Sequence, residues 1–180
     1  IIKPELCEGH LQKGRDIQWE LDHHVRPHTV YLALSSGVKV GVTRHTQVPT
    51  RWIDQGAVKA IRLATVPYRQ LAGQIEVELK EYVTDKTNWQ KMLKNNVPQD
   101  VDLLAEKKRL RSLLPIHLQA YCYADDSIVD IQYPVLVYPK KVKSLNFDKT
   151  PDVEGILQGI KGQYLIFEGG KVLNIRRFAG

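Results

Sequence analysis

Cysteine is scarce. Cys7 and Cys122 are the two in 180 residues, too few for a disulfide framework, so the chain must fold without one and suits a reducing compartment. Long apolar runs are missing as well. None approaches the roughly 18 residues of a membrane span, and the opening IIKPELCEGH lacks the apolar core of a secretory signal. This predicts a cytoplasmic protein. An initiator Met is also lacking, and the chain reads as a fragment. Repeats and low-complexity tracts are absent. So are the standard enzyme signatures: a Walker A loop, a dinucleotide glycine fingerprint, HExxH and GxSxG. GILQGIKGQYL lacks the Lys-Ser/Thr ending of a phosphate loop and runs into a strand. Its glycines read as turn formers, with Lys161 a candidate phosphate contact.

What is present describes a folded chain. Hydrophobic residues make up 43% and charged residues 26%, close to the globular average, and 180 residues suffice for one large domain or two small ones. The 26 basic against 20 acidic side chains give +6 and a pI near 9.3, a balance that suits a polyanion such as DNA or RNA. The excess is spread evenly along the chain, so any phosphate-binding surface has to be assembled by the fold.

Residues 1–27 read as an irregular lead-in, broken by Gly9, Gly14 and Pro27, with one short helix around Ile17–Leu21. From His28 the pattern sharpens. HTVYLAL and VKVGV form a hairpin across Ser35-Ser36-Gly37, with the glycine free to take a positive φ. Pro49 and Gly56 bracket a short helix, AVKAIRLATV is a third strand, and apolar residues at helical spacing predict an amphipathic helix from Tyr68 to Thr84. A helical turn follows at Asn88–Lys94. Residues 28–95 are therefore α+β, a small antiparallel sheet flanked by helices.

Asn95-Asn96-Val97-Pro98 reads as a linker, and residues 96–180 as a second region. A charged helix stopped by Pro115 opens it, and the remainder is mostly β: HLQAYCYA, SIVDIQYPVLVY, KVKSLNF, GQYLIFE and KVLNIRR, with turns at Asp125-Asp126 and Gly169-Gly170.

Chemistry-bearing residues collect in 28–95. Tyr31 on the first strand, Lys39 and Gly41 on the second, Arg51 on the short helix and Glu76 on the longer one can converge at one edge of the sheet. Arginine clamps a phosphodiester, a carboxylate holds a divalent metal, and a tyrosine orients or deprotonates water. Glu78 competes with Glu76 for the inward face. Arg44 and His45, just after the second strand, read either as a further phosphate contact or proton carrier or as simply exposed side chains. Lys140, Lys141, Lys143, Arg176 and Arg177 extend a basic surface in the second region. Cys122 reads as a small core residue. Cys7, three residues before His10 and upstream of His23, His24 and His28, makes a zinc site conceivable, but four ligands do not emerge and a surface thiol is the plainer reading.

The order Thr29-Val30-Tyr31, Lys39-Val40-Gly41, an arginine helix and a glutamate helix resembles the core of the GIY-YIG nuclease superfamily. That resemblance implies catalytic roles for Tyr31, Gly41, Arg51, Glu76 and, in DKTNW, Asn88, with Glu76 holding Mg²⁺ or Mn²⁺. Thr29 and Lys39 depart from the superfamily's glycine and tyrosine. PELC, HTVYLALSSGVKVGVTR, RWIDQGA, DKTNWQKML, YPVLVYPKKVKSL and GIKGQYL together resemble, over nearly the whole chain, a bacterial family termed domain of unknown function 2797. In that family the segment before PELC is Cys-rich and zinc-ribbon-like, which implies that Cys7, with His10, is the remnant of a zinc site. The expectation is a nucleic-acid-binding protein that hydrolyses phosphodiester bonds with one divalent metal. Its alternative is a non-catalytic RNA- or DNA-binding module on the same scaffold.

Overall fold

The computed structural model describes residues 3–84, 86–149 and 151–179. Two 3-10 turns, Pro4–Leu6 and Gly9–Leu11, precede α1 (Ile17–His23), whose N-terminus is capped by Asp16 accepting from the Trp19 amide at 2.9 Å. β1 (His28–Leu34) and β2 (Val38–Arg44) form the expected hairpin, followed by α2 (Thr50–Asp54), β3 (Lys59–Val66) and α3 (Arg69–Lys80). Gly37 does not adopt a positive φ; the turn closes instead through the Ser35 amide on the Gly37 carbonyl, 3.1 Å. Gly56 does, at +69°, and ends the short helix.

The first sheet is antiparallel, ordered β2-β1-β3-β4, its last strand (Ile128–Asp130) coming from the second region. Every residue of β1 is buried, because the strand is central and covered on both faces. Val30, Leu32 and Leu34 join Ile75 and Leu79 of α3 and Leu103 and Leu110 of α5 (Leu103–Leu113) in the main core. Tyr31 and Ala33 face the other way, against Trp52 of α2. α3 stops at Lys80 instead of Thr84, since the chain turns to let Thr84 bridge Lys39 beside β2, with the Val40 amide donating to the Thr84 carbonyl at 3.0 Å.

The second sheet is mixed, ordered β5-β8-β7-β6: β5 (Lys143–Ser144), β8 (Lys171–Asn174), β7 (Tyr164–Phe167) and β6 (Leu157–Lys161). It docks on α4 (Trp89–Leu93), where Met92 and Leu93 pack with Ile166 and Val172 and the Trp89 ring stacks on Tyr164 at 5.7 Å. The α+β class and the β-rich end are as the sequence predicts, but the strands are redistributed. HLQAYCYA is no strand. Pro115 starts a short α6 (Ile116–Gln119) that drives Leu118 into the main core, and Cys122 makes a lone bridge to Ala64. SIVDIQYPVLVY supplies only β4, because Pro134 has no amide to continue a ladder. LQGIK, read as turns, is β6, and the turn falls at Gly162 with φ +59°. Contacts cross the expected boundary at 95/96, since α5 joins the first core and β4 extends the first sheet.

Candidate functional site at the β1–β2 face

Antiparallel register sets Tyr31 opposite Gly41. A Cβ at Gly41 would lie 2.7 Å from the Tyr31 hydroxyl and ring, so the tyrosine lies across the glycine and no larger residue fits beneath it. The hydroxyl donates to Gln55 Oε1 at 2.8 Å, and the ring meets Trp52 at 5.9 Å between centroids. Tyr31 is fully buried. Burial pushes its pKa up to about 12; Arg51 acts against the rise and Glu76 adds to it. Both charges therefore reach the phenol.

Lys39, buried on β2, and Arg51, half-buried on α2, line one cleft of about 260 Å³ with Gln55, Trp89, Tyr164 and Asn174. Its far wall thus belongs to the second region. Glu76 is half-buried while Glu78 is exposed, so Glu76 is the more enclosed of the two carboxylates. Yet Glu76 opens into a neighbouring cleft, with Lys3, Glu5, Val42 and Arg69, and pairs with Lys80 Nζ at 3.4 Å. The structure brings Tyr31, Lys39, Gly41 and Arg51 to one face and leaves Glu76 in the neighbouring cleft. Asn88 is exposed and serves as a helix cap: its Oδ1 accepts from the Lys91 amide at 3.0 Å, and its own amide donates to Ser36 Oγ.

The expected phosphate contacts separate. Lys140, Lys141, Lys143 and Arg177 are exposed, Arg177 lying over the Phe178 ring. Arg176 reaches back to Asp54 on the cleft wall, 3.3 Å. Arg44 is half-buried beside Asp22, Arg26 and His45 in another cleft. Lys161, expected at the surface, has no solvent exposure at all; its ammonium donates to Asn95 Oδ1 at 2.7 Å and sits against the Tyr133 and Tyr138 rings.

Cys7 is not a surface thiol. At 2% exposure it joins Glu20 and His24 in a buried cluster whose donor atoms all lie within 4.8 Å, a set that can hold a metal ion. His10 is no member among the described residues; its ring stacks on Tyr68 at 4.1 Å. Burial lowers the His24 pKa against the opposing pull of Glu20. Sequence spacing offered His24 as one histidine among several and gave no signal for Glu20, an ordinary-looking helical acid. Gln55, Asn174 and Tyr164 were equally silent, because nothing local ties them to Tyr31 or Arg51.

The chain belongs to the family described as "Protein of unknown function (DUF2797)", whose model matches residues 1–180. No curated protein and no solved structure matches it significantly. No helix among the described residues is long and apolar enough to cross a membrane.

Proposed function

We propose that this protein is a cytoplasmic nucleic-acid-binding protein built on a GIY-YIG-like core, hydrolysing phosphodiester bonds at the β1–β2 face with one Mg²⁺ or Mn²⁺. The observation that carries this reading is Tyr31 lying across Gly41, with its hydrogen-bond partner Gln55 lining the same cleft as Lys39 and Arg51. A single carboxylate suits these hard ions, which keep several waters and take further oxygens from a substrate phosphate. The ion would neutralise phosphate charge and acidify a bound water. Arg51 clamps the phosphodiester, and Lys39 offsets charge where the superfamily has a second tyrosine. Tyr31 stays protonated at neutral pH, so it orients a reacting oxygen by hydrogen bonding and is not the base. Lys80 must release Glu76 as substrate binds. Lys140, Lys141, Lys143 and Arg177 supply exposed charge for the rest of the backbone.

One observation favours the non-catalytic module instead: the Tyr31 hydroxyl is already spent on Gln55, and Glu76 on Lys80. Labelled single- and double-stranded DNA and RNA, incubated with Mg²⁺, Mn²⁺ or EDTA, decide between the two. Metal-dependent cutting that falls on the order of 100-fold or more in Glu76→Gln and in Arg51→Ala, with salt-sensitive binding kept in Glu76→Gln, supports hydrolysis. Salt-sensitive binding without cutting establishes the binding module. Neither cutting nor binding overturns both.

A further inference from the structure

We propose that Cys7, Glu20 and His24 form a zinc site that pins the N-terminal turn to α1, separate from the β1–β2 face. The donors are a sulfur, a carboxylate oxygen and an imidazole nitrogen, a mixture typical of Zn²⁺. Sγ of Cys7 stands 3.2 Å from His24 Nδ1 and 4.0 Å from Glu20 Oε2. With Zn–S about 2.3 Å and Zn–N or Zn–O about 2.1 Å, two tetrahedral ligands lie about 3.5 Å apart, and the two observed separations straddle that figure. The third edge, Glu20 to His24, is now a hydrogen bond, which a metal would open by about 1 Å as it takes the place of the proton.

Two further observations favour a bound cation. The residues are 2%, 9% and 6% exposed, and Cβ atoms at Gly9 or Gly14 would overlap the Glu20 side chain, so the carboxylate is enclosed by backbone and shut off from solvent. Such a buried anion needs a compensating charge. A thiolate, a carboxylate and a neutral imidazole together carry two negative charges, which one Zn²⁺ cancels.

On binding, the Cys7 thiol gives its proton to solvent and its sulfur lone pair to the metal, and the proton between His24 Nδ1 and Glu20 passes through solvent to His24 Nε2, leaving a neutral imidazole and a carboxylate with no change in oxidation state. The consequence is structural. The His24 carbonyl accepts from the Arg69 amide at the start of α3, 2.9 Å, and Lys3, Pro4 and Glu5 line the cleft that holds Glu76. Zinc would thus fix the strand of chain that forms one wall beside the carboxylate.

The test is titration of the chelator-stripped chain with Co²⁺ and then Zn²⁺. Expected are one equivalent bound, a near-ultraviolet sulfur-to-cobalt charge-transfer band, visible bands of four-coordinate cobalt that Zn²⁺ bleaches, and protection of Cys7 but not Cys122 from alkylation. Cys7→Ser should remove the charge-transfer band, and Glu20→Gln should weaken binding about tenfold or more. Absence of saturable uptake, or a charge-transfer band that survives Cys7→Ser, overturns the proposal. Should Cys7→Ser fail to fold, mass mapping of alkylation on the unmodified chain decides: protection by zinc at Cys7 supports the site, and equal labelling with and without zinc overturns it.

Discussion

Lys161 shows how far one residue's setting can depart from its type. It has no solvent exposure, its only hydrogen bond among those described is to Asn95, and two tyrosine rings face its ammonium at 5.0 and 5.4 Å. Burial lowers its pKa from 10.5 to about 8. Between those values the unfolded chain binds more protons than the folded one, so stability rises with pH through that window, by about 3 kcal/mol at most and less for whatever the tyrosine rings return. Tyr31 has the opposite sign. Its pKa is raised from 10.0 to about 12, so the stability it contributes is complete below pH 10 and is lost as pH climbs toward 12. Thermal melts should therefore rise from about pH 8 to pH 10 and fall beyond, and Lys161→Met should flatten the rising limb. A rising limb unchanged in Lys161→Met would show that another group causes it. A lysine inside GIKGQYL read naturally as a phosphate contact. Its burial depends on Asn95 and Tyr133, whose nearness no local pattern encodes.

Elements with strong local signals came out as expected. The spacing of Leu103, Leu110 and Leu114 before Pro115 predicts a helix, and those three leucines lie in the main core. Its start is fixed by Asp102, whose Oδ1 accepts from the Leu104 and Ala105 amides at 2.9 and 3.0 Å. Asp102→Ala should cost about 1 kcal/mol, read as a lower urea midpoint with unchanged slope; an unaltered midpoint would mean water caps the helix equally well. The elements that were misread carry weak or conflicting signals. HLQAYCYA has strand-forming residues, but one leucine seated in an existing core and a proline at the start outweigh propensity over so few residues. β6 contains Gly159, whose backbone lies against Val135, and a glycine in a short run suggests a turn until its partner strand is known.

At the scale of the molecule, the two sheets act as one body because small contacts accumulate between them. Trp89 stacks on Tyr164, Met92 and Leu93 share a cluster with Ile166 and Val172, and Arg176 reaches Asp54. The contact places Tyr164 and Asn174 opposite Lys39 and Arg51, so the cleft exists only while the sheets are docked. Trp89→Ala should cost about 2–4 kcal/mol and release the second sheet first. Hydrogen exchange would then show β7 and β8 amides losing protection before those of β1 and β3, whereas loss of protection in concert would mean the remaining contacts suffice. In the nucleic-acid assays the same variant should weaken binding by opening the cleft wall.

Sequence alone determined the hairpin, the order of strands and helices through α5 and the α+β class, because periodicity and turn chemistry are local properties that need no partner; the family followed from resemblance over the whole chain, and Tyr31, Gly41, Arg51 and Glu76 entered as candidates from their order. Tertiary structure decided the rest. It sent Lys161 inward, gave Tyr31 the partner Gln55, split Glu76 from the Lys39–Arg51 cleft, and gathered Cys7, Glu20 and His24 into one buried cluster. Those outcomes follow from which surfaces pack together, and packing joins residues that are far apart in the chain.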